Sequence, residues 1–262
     1  MNAIITDKGE ASMKMTMKIL SLTTALVTMI TGVALATPST QVWIPSTDVQ
    51  AFGTAHLGID NYLRVSKNPD GSRQPNTYDL GLTFGLLPFE KLQMEAGVDY
   101  MVNATSPGDS HPFYLNVKLA TPEGSLFGYS PAIAVGAYNI GFKEDVSDQN
   151  IVYGLVAKTL PVVGRLSAGY FVGNSAVLND ASGENDNHGV LLSWDRTMSE
   201  ISDKLWVAVD YQGSDSFMGA LNFGVSWAFS KNVSLLVGYD IYNSSVTGGK
   251  NTFTTQLDIN FP

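Results

Sequence analysis

The chain has 262 residues, 44% of them apolar and only 15% charged, with 15 Lys and Arg against 24 Asp and Glu and no Cys. That length allows one large domain or two small ones. The net charge of −9 argues against nucleic acid as a partner, because neutralising phosphates takes a basic surface, and the lack of Cys removes disulfides, thiolate chemistry and Cys-ligated metals.

The N-terminal part reads as an export signal. Lys14 and Lys18 precede the apolar run "ILSLTTALVTMITGVALA", which ends in Ala34-Leu35-Ala36 and is followed by Thr37-Pro38. A positive flank, an apolar centre and a small-residue exit are the parts of a secretory signal peptide, expected over 1–36. Asp7 and Glu10 are out of place in such a signal, so Met13 is a candidate start. Removing 1–36 takes away Lys8, Lys14, Lys18, Asp7 and Glu10 and leaves 12 basic against 22 acidic residues, net −10. Residues 37–53, "TPSTQVWIPSTDVQAFG", hold two Pro and several Ser and Thr and read as an extended lead-in.

From residue 54 to 262 the period is two, repeatedly. The expected strands are 54–66, 77–87, 92–103, 113–120, 131–142, 151–160, 165–173, 188–196, 204–212, 217–229, 233–242 and a last one over "FTTQLDINFP". The second sets Tyr78, Leu80, Leu82, Phe84 and Leu86 against Asp79, Gly81, Thr83 and Gly85. The fifth is apolar on both faces, so its register is undecided. The sixth is read with Ile151, Tyr153, Leu155 and Ala157 on its apolar face and Gly154 and Lys158 opposite. The last alternates Phe253, Leu257, Ile259 and Phe261 with Gln256, Asp258 and Asn260. Connections tend to alternate long and short, imperfectly.

Such a run of antiparallel strands suits either a sandwich or barrel with its apolar face inward, or a membrane barrel with that face toward lipid. Three features favour the second. The apolar faces carry aromatics near strand ends, the strands are long enough to cross a bilayer at a tilt, and isolated charges stand mid-strand on the polar face, where a dry interior would have to desolvate them. Signal peptide, alternating strands and a final strand ending on an aromatic together resemble a bacterial outer-membrane β-barrel of porin-like kind, over about residues 54–261. The resemblance implies an all-β fold, a closed antiparallel up-and-down transmembrane barrel of about 12 strands. It implies export to the outer membrane, contact with the lipid bilayer and lipopolysaccharide, and passage of small solutes or cations without a cofactor. It also implies that Phe253, Leu257, Ile259 and Phe261 are read by the assembly machinery. Pro262 departs from the pattern, which usually stops on the aromatic.

If both termini lie on the periplasmic side, as the resemblance implies, the lumen face can be read from hairpin pairing. Pairing about the turn centres sets Arg64 opposite Asp79 and Asp79 opposite Asp99, a row across three strands, with Asp210 and Asp240 at similar height. Below it Glu95 pairs with Lys118 and Arg165 with Asp195, with Lys158 nearby. Asp60 and Asp258 complete the expected lining. One reading is a cation-attracting vestibule above a mixed-charge ring. The other is a set of cross-strand salt bridges that rigidify a plugged or nearly closed barrel. The loop residues Asp180, Glu184 and Asp186 could supply oxygens to a divalent cation, but their spacing lacks the Gly and final Glu of a Ca²⁺ loop, and a solvated loop is the plainer reading. His56, His111 and His188 are the available imidazole bases. Ser193 falls on the opposite strand face from His188, so no nucleophile–base pair emerges and no catalytic residues are assigned.

Overall fold

The computed structural model describes residues 39–103 and 111–262. The signal-peptide reading, over 1–36, lies outside the described residues. The strands are β1 (Ala55–Arg64), β2 (Thr77–Gly85), β3 (Gln93–Asn103), β4 (Phe113–Thr121), β5 (Ala132–Ile140), β6 (Ile151–Leu160), β7 (Gly164–Val172), β8 (His188–Thr197), β9 (Leu205–Gln212), β10 (Ala220–Ala228), β11 (Val233–Tyr242) and β12 (Thr252–Phe261). Each pairs antiparallel with its sequence neighbours, and β12 pairs with β1 from Ala55↔Phe261 to Arg64↔Thr252, closing the barrel. Closure removes the two free edges that an open sheet of this length would present. The near end of the barrel is the one where β1 begins and β12 finishes; the far end carries the longer connections.

Outward and inward side chains alternate as the period-two pattern requires. On β10, Phe223, Val225 and Trp227 are exposed while Asn222, Gly224 and Ser226 are buried. On β12, Thr252, Thr254, Gln256 and Asp258 are buried, and Phe253, Leu257 and Ile259 take the opposite parity. Tyr78, Leu80 and Phe84 on β2 and Val190 and Leu192 on β8 add to an exposed apolar belt. A belt of this extent far exceeds the apolar patches that proteins show to water, and it matches the surface a barrel presents to hydrocarbon. Strands of 8–11 residues at about 3.3 Å per residue, tilted by roughly 45°, span about the height of that apolar layer.

Two strands differ from the sequence reading, for one reason. Where both parities are apolar, alternation does not choose the face. On β5 the pairing with β4 slips between Leu115 and Val117, so that Leu115↔Ile140 is followed by Val117↔Ala137. Asn139 there has φ 51°, a bulge residue in the left-handed region. Tyr138 keeps the inward parity of Ala132 and Ala134 and packs 5.8 Å from lumen-facing Tyr153, and the extra residue reverses the parity beyond it, so that Asn139 is buried as well. On β6, Ile151, Tyr153, Leu155 and Ala157 are buried inside, whereas Val152 and Val156 are exposed. The expected outward placement of the first set is therefore inverted. What decides it is packing. Ile151, Tyr153, Leu155, Phe171 and Leu191 form a core inside the barrel with Ile44 of the lead-in and with Leu178 and Met218 of far-end loops. Each fully buried side chain of this size is worth about 1.5–3 kcal/mol, more than any bias from the pattern of β6.

Candidate functional site: a lumen divided between a plug and an acidic chamber

The lead-in does not trail away from the barrel; its described part, from Ser39 onward, occupies the lumen. A tight reversal is fixed by Gln41 N donating to Ile44 O (2.8 Å) and Ser46 N donating to Ser39 O (3.1 Å). The reversal presents successive backbone N–H groups to one carboxylate. Val42 N and Trp43 N donate to Asp210 Oδ2 at 2.7 and 2.8 Å, and Ile44 N lies 3.5 Å from the same oxygen. Asn222 Nδ2 donates to Asp210 Oδ1 at 2.7 Å. A carboxylate held in a nest of backbone donors is a strong latch, because charge-assisted bonds are about twice as strong as neutral ones. Gln256 Nε2 donates to Val42 O (2.7 Å), and Gln41 Nε2 donates to Asp195 Oδ1 (3.0 Å).

The charged ring at the near end completes the socket. Lys118 Nζ lies 2.9 Å from Glu95 Oε1 and also donates to Ser39 O and Asp48 O at 2.8 and 2.7 Å. Glu95 Oε2 accepts from Gln50 N at 2.6 Å. Arg165 bridges Asp195 (2.8 Å) and Asp48 (2.6 Å). Glu95 and Lys118 are each 3% exposed, so the pair survives burial only because every remaining donor and acceptor is used. Small residues let the segment in. A Cβ on Gly224 would stand 2.7 Å from Val42 Cγ2, and one on Gly85 would stand 2.0 Å from Ala51 O. Gly224→Leu is therefore expected to push Val42 off the wall while the barrel still closes. The check is limited proteolysis of folded protein, in which cleavage within 39–50 should appear in the variant and be absent from wild type.

Beside the plug, the β1–β4 wall encloses a cavity of about 590 Å³. Its floor, at the near end, holds His56, Glu95 and Lys118, and its mouth, at the far end, holds Arg64, Thr77 and Thr247. Between them stand Asp60, Asp79 and Asp99, all half-buried. Asp60 faces Asp79 directly in the β1–β2 register, and Asp99 faces Gly81 in the β2–β3 register. Asn116 Nδ2 donates to Asp99 Oδ2 at 2.8 Å. His56 Nε2 lies 3.5 Å from Asp258 Oδ1, and its Nδ1 lies 3.1 Å from Asn260 Oδ1. Arg64 bonds to Lys250 O and sits with Cζ 4.7 Å from the centre of the Tyr242 ring.

These positions sort the residues expected to line a pore. Glu95 with Lys118, and Arg165 with Asp195, pair as the hairpin arithmetic predicts. They act as the plug's socket, together with Asp210, rather than as an open ring. Arg64 does not face Asp79, nor Asp79 Asp99. β2 is displaced toward the near end relative to β1, so Asp60 takes the place opposite Asp79, and Gly81 takes the place opposite Asp99; Arg64 faces Thr252 of β12. Asp240 is buried and accepts from Thr252 Oγ1 at 2.6 Å; Asp258 accepts from Ser234 Oγ at 3.2 Å. Lys158 is a correction. It shares the outward parity of Val152 and Val156 and meets Glu123 of a near-end turn at 2.8 Å, so it does not line the lumen.

The loop acids do not gather. Asp180 Oδ1 accepts from Ser182 Oγ (2.7 Å), Ser182 N (2.8 Å) and Glu184 N (3.0 Å), and the Ser182 bonds hold this carboxyl below the usual carboxylate range. Asp186 bonds instead to Asp215 N. Among the described residues, no three Asp, Glu or His side chains come together in metal-holding geometry. Sequence reasoning missed the plug side of every contact: Gln41, Val42, Trp43, Ile44, Asp48 and Gln50. The one available signal was Val42-Trp43-Ile44 itself, an apolar triplet in a polar, Pro-bounded stretch.

The architecture is a closed, 12-stranded antiparallel β-barrel with an apolar belt outside and a polar lumen. No protein-family model and no curated protein matches the chain. Solved structures similar to it include an outer membrane channel, COG4313, from Pseudomonas putida F1 (TM-score 0.47, 13% identity, 81% of this chain and 96% of that one). The NanC porin is similar at TM-score 0.46 and 10% identity, covering 79% of this chain and 99% of that one. Outer membrane phospholipase A from Escherichia coli is similar at TM-score 0.46 and 12% identity, covering 79% and 92%. Likeness at this level concerns the fold, and it spans channels and an enzyme alike.

Proposed function

We propose that this is an outer-membrane channel for ions or small hydrophilic solutes, cation-preferring, whose passage is restricted by its own residues 39–50. The observation that carries the reading is the division of the lumen. Asp60, Asp79 and Asp99 line an acidic chamber along one wall, while the plug fills the other side and the near-end floor. Carboxylates in a narrow, low-dielectric passage concentrate cations and repel anions. The route for solutes is the β1–β4 side, where side chains are half-buried rather than sealed. Phe253, Leu257, Ile259 and Phe261 serve in this reading as the strand recognised during assembly, and the bilayer and lipopolysaccharide as the surroundings of the apolar belt.

A planar-bilayer measurement tests it. Refolded mature protein is expected to give discrete, small conductance steps with cation preference. Asp79→Asn/Asp99→Asn should reduce the cation-to-anion permeability ratio several-fold, by about the effect of removing two charges from a narrow lumen. Inserted protein that stays silent, with and without the plug, would remove the channel reading.

A second reading has its own support. The plug is held by so many buried bonds that the barrel could work closed, as a non-conducting barrel that presents its far-end loops to a partner. In that case, deleting residues 37–53 opens current that wild type never shows. A hydrolase is not favoured by the geometry. His188 lies on the exposed face of β8 and Ser193 on the buried face, and both ring nitrogens of His56 face Asp258 and Asn260 rather than a hydroxyl.

A further inference from the structure

We propose that the acidic chamber is a binding site for an organic cation carrying N–H donors, a primary ammonium or guanidinium, on an apolar or aromatic body. This deepens the channel reading and rests on it, because it names the solute class for the same lumen.

Three observations point there. The first is unspent acceptor capacity. Oδ1 of Asp60 and Oδ1 of Asp79 are shielded from solvent and accept no hydrogen bond. Asp258, 1% exposed and lining the same cavity, has an Oδ1 without a hydrogen bond, its nearest cationic atom being His56 Nε2 at 3.5 Å. Buried carboxylate oxygens without donors are costly, and a ligand that brings N–H groups satisfies them. The neighbouring cations are committed elsewhere: Lys118 to Glu95 and the plug, Arg64 to Lys250 O and Tyr242. Asp60 and Asp79, on adjacent strands, thus face one space with no basic partner among the described residues, and their mutual repulsion is stronger there than in bulk water.

The second is the aromatic wall. Tyr62 stands two residues beyond Asp60 on the same strand face, and Tyr114 faces Asp99 across the β3–β4 pair. Trp43 of the plug packs edge-on against Tyr62 at 5.3 Å and Tyr242 at 5.8 Å. Aromatic faces beside carboxylates favour cations with an apolar body. The chain provides its own example at the mouth, where the Arg64 guanidinium lies over Tyr242.

The third concerns size and spacing. A cavity of about 590 Å³ is within the usual range for small-molecule sites. The acids do not converge as metal ligands do. An extended cation fits that spread better than a single ion.

The test uses mature protein, residues 37–262, refolded in detergent, with 2-phenylethylammonium as probe in a low-salt calorimetric titration. Saturable binding is expected. The neutral 2-phenylethanol should bind about tenfold more weakly or worse, and so should the probe to Asp60→Asn/Asp79→Asn, the scale of losing a charge-assisted bond. Altered mobility of the unheated variant on a gel confirms that its barrel is folded; should it fail to fold, Asp99→Asn is titrated in its place. No saturable binding by folded wild type, or equal affinity in the Asn variant, overturns the proposal, as does displacement of the probe by Ca²⁺ at lower concentration than the probe itself needs. Probe binding without current leaves this inference standing and removes the channel; current without probe binding does the reverse.

Discussion

Asp210→Ala is expected to release the plug. Asp210 is 1% exposed and takes the N–H groups of Val42 and Trp43 on one oxygen and Asn222 on the other. Alanine leaves those buried backbone donors unpaired, at about 1–3 kcal/mol for each unsatisfied group. The strands themselves do not depend on this carboxylate, since the pairing of β9 with β8 and β10 is made by backbone. The loss therefore falls on the plug, not on barrel closure. Two measurements report it. Conductance steps in a planar bilayer should grow toward those of a chain lacking residues 37–53. Trp43, which packs between Tyr62 and Tyr242 and donates to Met218 O at 3.1 Å, should become more accessible to an aqueous quencher. Asp210→Asn keeps an acceptor and loses the charge, so it should fall between. Unchanged conductance and quenching in Asp210→Ala would mean that the latch is not what holds the segment.

Lys118→Met is expected to be the most destabilising single change at the near end. It strands Glu95, 3% exposed, without its counter-ion at 2.9 Å, leaves Asp48 O without this donor, and leaves Ser39 O with Ser46 N alone. Removing one member of a buried ion pair costs about 3–5 kcal/mol. Adding Glu95→Gln should recover part of this, because the uncompensated charge is gone while Gln50 N still finds an acceptor. The measurement is the urea midpoint of the gel mobility shift for wild type, single and double variants. A double variant no more stable than Lys118→Met would show that the lost bonds to the plug, rather than the buried charge, dominate.

The two effects show where the reading of this chain is strong and where it stops. Strand number, antiparallel pairing and the outward faces of β2, β10 and β12 follow from alternation, because each concentrates its large apolar residues at one parity. Glu95 with Lys118 and Arg165 with Asp195 were paired correctly even though each hairpin is joined by a long far-end connection. The row from Arg64 to Asp99 was misplaced because the β1–β2 and β2–β3 hairpins are centred off the expected turn midpoints, a slip that keeps every residue on its face but changes its partner. β5 was undecided and β6 was read with its faces inverted, because both faces of each strand are apolar.

The sequence by itself determined about twelve alternating strands, each with an apolar face, and an acid-rich polar face on most of them, as consequences of local period and composition; closure into a ring was implied by the resemblance to outer-membrane barrels. Only the tertiary structure decided what fills the interior. Val42, Trp43 and Ile44 carry no period and no charge, so beyond being an apolar triplet they give no local sign of where they dock. Their place is set by contacts to Asp210, Asp195, Gln256 and Leu236, all more than 150 residues away. A carboxylate row that looks from the sequence like the wall of an open vestibule becomes a half-enclosed chamber because those three residues close the space beside it.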